Sequence, residues 1–124
     1  MLQCMPIMAH AAPGEQRMAD DVLLALAATI KSRRTASAGR SYTRQLLEAG
    51  PERCARKLGE EAIETVIAGL RSDTGPLEAE AADLLYHLLV LLECRDAEIG
   101  RVLALLKSRM GTSGLDEKAA RGQS

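Results

Sequence analysis

The sequence predicts an all-α protein, a small bundle of four to five helices. The chain of 124 residues has no Trp or Phe and only two aromatic residues, Tyr42 and Tyr86. Its core must therefore be built from Leu, Ala, Val, Ile and Met, a mixture that favours helices over sheets. These apolar residues recur at helical spacing along most of the chain, and Pro and Gly divide the pattern into segments of helix length. No segment shows the alternation that is typical of a strand.

The first predicted helix begins near Met18 and ends in the polar segment 31–39. Residues 1–17 show no periodicity, and we expect them to form a mobile N-terminal extension. From Met18 onward the apolar side chains recur as they would on one face of a helix, at Val22, Leu23, Leu26, Ala27 and Ile30.

A short second helix is expected between Ser41 and Gly50. The Ser41 hydroxyl can accept a hydrogen bond from a free N–H of the first turn, and Gly often follows the last helical residue. Pro51 then suits the first turn of a third helix, where its missing N–H costs no hydrogen bond. The apolar pattern of this helix continues to Leu70.

Segment 72–76 predicts a turn, and Pro76 should begin a fourth helix that extends to about Arg95. Because the connection is short, the third and fourth helices should be antiparallel neighbours. Asp96 is a candidate N-cap for a last helix of residues 97–110. The helical domain therefore covers residues 18–110.

The fourth helix is apolar around most of its circumference within residues 84–92. A helix of this kind must be covered on several sides, which is more cover than a few short helices supply. We therefore expect oligomerisation, as a homodimer or a dimer of dimers, with this helix close to the subunit interface. Residues 111–124 form a Gly- and Ser-containing segment with little apolar content, and we expect a flexible tail.

Charge and cysteine content exclude several classes of function. The net charge of −1 gives no attraction to nucleic acid or to an acidic membrane, and there are few aromatic rings to stack on bases. Cys4, Cys54 and Cys94 are odd in number and widely spaced, which predicts neither a disulfide framework nor a zinc knuckle but a reducing cytoplasm. The apolar run 84–92 is far shorter than the roughly 20 residues that span a bilayer.

Two acidic pairs carry the main functional signal. Glu61-x-x-Glu64 lies on the third predicted helix and Glu80-x-x-Asp83 on the fourth, with Glu60 beside the first pair. Residues three apart on a helix share a face, so two antiparallel helices can bring these carboxylates together. Oxygen ligands alone suit Mg²⁺, with Mn²⁺ as a substitute, shared with the phosphates of a nucleotide. The alternative is a structural network in which the acids pair with Lys and Arg.

A magnesium site of this composition favours hydrolysis, because bound Mg²⁺ neutralises phosphate charge and lowers the pKa of a bound water. Glu60 or Glu61 is best placed to take the proton of that water, and the sequence does not separate them. His87 is either a partner of the site or, as is commoner for a single His, a hydrogen-bonded core residue. The chain has no Walker loop, no Glu-x-x-His pair and no Cys cluster, which excludes the sites built on those motifs.

Four segments together form a family pattern: Ser41-Tyr42-Thr43, Gly50-Pro51-Glu52, residues 57–64 and residues 80–92. In this pattern the chain closely resembles the phosphoribosyl-ATP pyrophosphohydrolases of histidine biosynthesis, over about residues 22–109. The wider resemblance is to the all-α, MazG-type nucleotide pyrophosphohydrolases, which share the paired acidic motif.

The resemblance implies an oligomeric, Mg²⁺-dependent enzyme that hydrolyses 1-(5-phosphoribosyl)-ATP to 1-(5-phosphoribosyl)-AMP and diphosphate, the second step of histidine biosynthesis. It also implies a set of metal ligands, namely Glu60, Glu61, Glu64, Glu80 and Asp83.

The implied substrate carries phosphates at both ends, so nearby cations become candidate contacts. Lys57 is the first candidate because it lies one turn before Glu61 on the same face. Weaker candidates are Arg44, Arg53 and the tail residues Lys118 and Arg121. Each can equally be a solvated surface cation without a specific role.

Two other functions stay open at this point. A house-cleaning pyrophosphohydrolase for ordinary or damaged nucleoside triphosphates would share the metal site and differ only in base and ribose recognition. A non-enzymatic helical module would instead dimerise through its leucine-rich faces, with the carboxylates paired to Arg and Lys.

Overall fold

The computed structural model describes residues 13–35 and 41–110 of the chain. These residues form α-helices and one short 3-10 helix, Arg33–Thr35, without any strand, which confirms the all-α prediction. The α-helices in chain order are α1 (Pro13–Ser32), α2 (Tyr42–Ala49), α3 (Pro51–Ala68), α4 (Gly75–Cys94) and α5 (Ile99–Arg109). The predicted N-terminal extension, residues 1–17, lies mostly outside the described residues, which begin at residue 13. The predicted tail, residues 111–124, lies wholly outside them.

The chain divides into two units. One is residues 23–99, which holds the C-terminal part of α1 together with α2, α3 and α4. The other combines the two terminal segments, of which residues 13–22 and 100–109 are described as helix. All the candidate site residues that the structure describes lie in the unit 23–99.

Helix α1 begins at Pro13, five residues before the predicted start near Met18. Proline fixes its own φ near the helical value and needs no N–H at the first helical position. The same reasoning placed the start of α3 correctly at Pro51. Residues 13–17 lack apolar periodicity, so a prediction based on periodicity alone began the helix too late.

The junction of α2 and α3 matches its sequence signals. The Ser41 hydroxyl accepts a hydrogen bond from the Arg44 backbone N–H at 3.1 Å, which caps α2. Gly50 has φ 97°, a conformation that residues with a Cβ rarely adopt. This glycine separates Ala49, the last residue of α2, from Pro51, the first of α3.

Asp96 was predicted to cap the start of the last helix, and this prediction is wrong. Asp96 has a left-handed backbone with φ 57°, and α5 begins only at Ile99. The Asp96 N–H bonds the Glu93 carbonyl at 3.1 Å and the Ala97 N–H bonds the Leu92 carbonyl at 2.8 Å. This pair of bonds is a Schellman motif, so Asp96 ends α4. Asp tolerates the left-handed region better than most residues because its short polar side chain bonds locally.

Helices α3 and α4 are joined by a short turn and pack against each other as predicted. The Thr65 hydroxyl lies 2.7 Å from the Glu61 carbonyl of its own helix and 3.2 Å from the Glu80 carbonyl of α4. Near the turn, Gly69 packs against Leu77: a Cβ added to Gly69 would lie 3.7 Å from Leu77 Cδ1, an ordinary van der Waals contact. These contacts fix the register in which the two acidic pairs face each other.

The core of the unit 23–99 is small. Its most deeply buried side chains come from α1, α2, α3 and α4, namely Ile30, Leu46, Cys54 and Val90. Leu89 is buried as well, so part of the apolar face predicted for a subunit interface is already covered within the chain.

Helix α3 and the turn after it carry an exposed apolar stripe, defined by Ile63, Val66 and Ile67 of α3 and by Leu70, two residues beyond its end. Their exposed fractions range from 54% at Ile67 to 85% at Leu70. The three helical residues follow the i, i+3, i+4 spacing of one helix face. In the part of the chain that the structure describes, no helix is long and apolar enough to cross a membrane.

Candidate metal centre

The acidic pairs of α3 and α4 meet in a cluster. Glu61 and Glu64 from α3 and Glu80 from α4 each offer one carboxylate oxygen, and these oxygens lie within 4.8 Å of one another. The i, i+3 spacing places the two α3 carboxylates on one face, and the Thr65 contact brings Glu80 opposite them. The sequence predicted this convergence.

The cluster leaves two buried oxygens without a hydrogen-bond partner, Glu61 Oε2 and Glu80 Oε2. The Glu61 side chain is only 12% exposed. A desolvated carboxylate oxygen that accepts no hydrogen bond is costly. A divalent cation would remove this cost, since it binds hard oxygen ligands directly. The donor set therefore fits an ion such as Mg²⁺.

The close packing of the carboxyl groups also raises the pKa of two of them, Glu61 and Glu80. Burial raises the pKa of Glu61, and the adjacent carboxyl groups of Glu64, Asp83 and Glu80 raise it further. The pKa of Glu80 is raised first by the close approach of the Glu64 carboxyl and then by burial. Both effects disfavour the ionised form of an acid in the metal-free protein. A bound cation would favour the ionised form.

The alternative of a structural salt-bridge network does not describe this cluster. Among the residues that the structure describes, no Lys or Arg forms a salt bridge with Glu61, Glu64, Glu80 or Asp83. The nearby Lys57 ammonium pairs with Glu60 instead, at 3.0 Å. Within the described residues, the cluster is therefore not compensated by a Lys or Arg salt bridge.

Glu60 and Asp83 lie beside the cluster and outside its group of three. Glu60 is half exposed and held by Lys57. Asp83 is exposed, yet its charge acts on both Glu61 and Glu80, which places it close to them. Their predicted role as metal ligands stays a prediction.

His87 lies behind the cluster on α4. It is 6% exposed, and its Nε2 is 3.9 Å from Glu61 Oε1, beyond hydrogen-bond distance. Burial and the charge of Lys57 lower its pKa, which favours the neutral ring. Its Nδ1 is buried without a partner. His87 is thus buried, but without the hydrogen bond that its commoner interpretation predicted, and its role as a partner of the site stays a prediction.

A small cavity opens next to the cluster, with a volume of about 140 Å³. Glu64, Glu80 and Arg71 are among its lining residues, together with Ile67, Ala68 and Pro76. Sequence reasoning missed Arg71 because it follows the last residue of α3, where helical spacing no longer indicates direction. The cavity gives the acidic cluster a cationic neighbour on the side of the α3–α4 turn.

The predicted phosphate contacts are not all near the cluster. Lys57 lies beside it through Glu60. The Arg44 guanidinium pairs with Glu48 at 2.7 Å within α2, and Arg53 is exposed. Lys118 and Arg121 lie outside the described residues.

Comparison with known proteins identifies the family. The sequence model of the phosphoribosyl-ATP pyrophosphohydrolases matches residues 23–110. The chain belongs to the phosphoribosyl-ATP pyrophosphohydrolase family. This membership confirms the resemblance drawn from the acidic motifs and their flanking segments.

Several relatives in the family are similar over most of their length. The phosphoribosyl-ATP pyrophosphatase of Cereibacter sphaeroides strain ATCC 17029 is 52% identical over 101 residues, which cover 82% of this chain and 98% of the relative. The phosphoribosyl-ATP pyrophosphatase of Rhodobacter capsulatus is 53% identical over 97 residues, covering 78% and 94%. That of Ruegeria pomeroyi is 51% identical over 100 residues, covering 81% and 95%.

Proposed function

We propose that this protein hydrolyses 1-(5-phosphoribosyl)-ATP to 1-(5-phosphoribosyl)-AMP and diphosphate, the second step of histidine biosynthesis. Membership of the phosphoribosyl-ATP pyrophosphohydrolase family supports the choice of this substrate. The observation that supports the chemistry is the group of three carboxylates with two orphaned buried oxygens and no Lys or Arg salt bridge among the described residues. Such a group is suited to a divalent cation that also binds the phosphates of a nucleotide.

The cation in this proposal is Mg²⁺, with Mn²⁺ as a substitute. Glu61, Glu64 and Glu80 would hold it, and Asp83 and Glu60 complete the acidic surroundings on either side. When bound, Mg²⁺ neutralises phosphate charge and makes a coordinated water more acidic. The protein side chains supply a fixed frame, because α3 and α4 are held in register by Thr65.

Glu60 and Glu61 are the two candidates for the base that accepts the proton of the attacking water. Glu61 is nearly buried within the group of three carboxylates, which places it next to a water bound at that group. Glu60 is more exposed and carries a hydrogen bond from Lys57, which holds its carboxylate in place. Both have a supporting feature, so both remain in the proposal.

Lys57 is proposed to contact phosphate oxygens of the substrate, and Arg71 is a second cation at the opposite edge of the cluster. A cation at each edge suits a substrate that is anionic at more than one place. The enzyme is further proposed to work in the cytoplasm, where free cysteines such as Cys54 and Cys94 persist. A second copy of the chain is the proposed partner, through the exposed apolar stripe of α3.

The deciding assay is incubation of purified protein with phosphoribosyl-ATP and Mg²⁺. We expect release of diphosphate without orthophosphate, supported also by Mn²⁺, poorly supported by Ca²⁺ and abolished by excess chelator. A panel of ordinary and oxidised nucleoside triphosphates is the control for a house-cleaning enzyme. Full activity in chelator would exclude the metal mechanism, and faster hydrolysis of an ordinary triphosphate would exclude the proposed substrate.

A further inference from the structure

The segment Ser41-Tyr42-Thr43 belongs to the family pattern but has no part in the acidic cluster. Two of its residues have structural tasks. The Ser41 hydroxyl caps α2, and the Thr43 hydroxyl is hydrogen-bonded to the Tyr86 hydroxyl of α4. Together these contacts fix the first turn of α2 against α4. Tyr42 lies between them and is therefore held in a defined place.

Tyr42 itself lacks a structural task of this kind. Its side chain is exposed, with 47% of the residue accessible. Its hydroxyl makes no hydrogen bond to any residue in the described part of the chain. The other aromatic residue of the protein, Tyr86, is hydrogen-bonded to Thr43. Among the Tyr, Trp and Phe side chains of this protein, Tyr42 is thus the one that is exposed and makes no hydrogen bond to the described residues.

The position of Tyr42 is at the rim of the candidate metal centre. Its ring meets the ring of His87 edge to face, with centroids 6.3 Å apart at an angle of 88°. His87 Nε2 in turn lies 3.9 Å from the Glu61 carboxylate. Lys57, which lies one turn before Glu61 on α3, pairs with Glu60 at 3.0 Å beside the same cluster. Tyr42, Lys57 and Glu61 therefore border one region of the surface.

We propose that Tyr42 is a substrate-binding residue that stacks its exposed ring on the purine base, while Lys57 and the acidic cluster act on the phosphates. The inference rests on the proposed function for the identity of the nucleotide. A half-exposed aromatic ring in a defined position beside a polyphosphate site can stack on a purine base. Such stacking buries the apolar faces of both rings at little conformational cost. Stacking also explains how a chain with almost no aromatic residues can bind a base.

If Tyr42 stacks on the base, its removal should weaken the binding of ligands that carry a base and leave the binding of base-free phosphates unchanged. Tyr42→Ala should raise the KM for phosphoribosyl-ATP and the inhibition constant of AMP about 10-fold, the lower part of the range for a base stacked on an aromatic side chain. The inhibition constant of Mg²⁺-diphosphate, which has no base, should stay within about two-fold, as should kcat. Tyr42→Phe keeps the ring and should retain wild-type constants. Leu24→Ala is a matched control, because Leu24 has a similar exposure of 45% on α1.

Several outcomes would overturn the inference. If Tyr42→Ala weakened AMP and diphosphate equally, or lowered kcat at unchanged KM, Tyr42 would act on the cluster through His87 and not on the base. If light scattering showed that Tyr42→Ala alters the oligomeric state, the exposed ring would be a subunit contact. Failure of Tyr42→Phe to restore binding would show that the hydroxyl, and not the stacked ring, is required.

A direct binding measurement keeps this test independent of the proposed reaction. Tyrosine fluorescence of the wild type comes from Tyr42 and Tyr86 alone, since the chain has no Trp, and Tyr42→Phe keeps only the Tyr86 contribution. Saturating AMP should quench the wild-type emission and leave that of Tyr42→Phe nearly unchanged, and ribose 5-phosphate, which has no base, should change neither. If the wild type does not hydrolyse phosphoribosyl-ATP, the proposed function fails, but the quenching still shows whether Tyr42 stacks on a purine base. Equal quenching by both ligands, or by neither, would contradict stacking.

Discussion

Glu61 is the residue at which stability and function conflict most directly. It is nearly buried, faces three other acids, and has no Lys or Arg salt bridge among the described residues. Its burial therefore costs folding free energy in the metal-free protein. A protein under selection for stability alone would pair or replace such a residue. The cost is explained if the site is completed by a cation, which is a physical argument for the metal independent of the family.

The first prediction concerns the charge of this cluster. Glu64→Gln and Asp83→Asn should each lower kcat by about 100-fold or more, since even residues that only orient metal ligands typically matter by 10- to 100-fold. The melting temperature without metal should stay equal or rise, because removal of one clustered charge relieves repulsion. The stabilisation of the wild type by added Mg²⁺ should be lost. Calorimetry with and without Mg²⁺, together with steady-state rates, measures all three quantities.

The control for this prediction is Glu48→Gln, which removes an exposed acid that pairs only with Arg44 in α2. This variant should keep its activity and its response to Mg²⁺. If Glu64→Gln and Asp83→Asn unfolded readily but kept activity per folded molecule, the carboxylates would be structural.

At the scale of the helices, the sequence predicted most of what positions the site. Prolines at 51 and 76 and the glycine at 50 mark the ends of α2, α3 and α4, because their backbone requirements are local. The convergence of the acidic pairs followed from helical spacing and a short connection. These features depend only on residues within one helix or two consecutive helices, so a single sequence is enough to predict them.

Most features that the sequence did not predict depend instead on contacts between residues that are distant in the sequence. Asp96 is an exception, since the backbone bonds that place it at the end of α4 are local. Arg71 lines the cavity beside the cluster and Tyr42 lies against His87, and both are outside the acidic motifs. Thr65 has no sequence signature at all, because its contact with the Glu80 carbonyl exists only once the helices are packed.

The second prediction tests that contact. Thr65→Val keeps the shape but removes the hydroxyl shared between the Glu61 and Glu80 carbonyls. We expect a loss of about 1 kcal/mol in the free energy of unfolding, the usual worth of such a bond. A drop in kcat should accompany it, because the register of the two acidic pairs relaxes. Urea unfolding and steady-state kinetics measure the two effects.

Thr65→Ser is the matched variant, since it retains the hydroxyl and loses only a methyl group. It should keep most of the stability and the rate. Identical behaviour of Thr65→Val and Thr65→Ser would show that the hydroxyl does not hold the helices in register.

For the protein as a whole, the main unexplained feature is the apolar stripe of α3. Three large apolar side chains on one face of α3, with Leu70 of the turn that follows, form a patch of the kind that marks an interaction surface. One of them, Ile67, also lines the cavity beside Glu64 and Glu80. A partner that covered the stripe would therefore wall one side of this cavity. Oligomerisation would then complete the site as well as cover apolar surface.

The third prediction is that a second copy of the chain is this partner. Val66→Asp should convert the oligomer into monomers in light scattering, because a charge in an apolar interface is costly to desolvate. Its kcat should fall too, since the cavity next to the cluster loses a wall. Leu89→Asp is the control, as Leu89 is buried within the chain, and it should lower the melting temperature itself. A wild type that is monomeric and fully active at micromolar concentration would refute the role of the stripe, while loss of folding in Val66→Asp would place that side chain in the core.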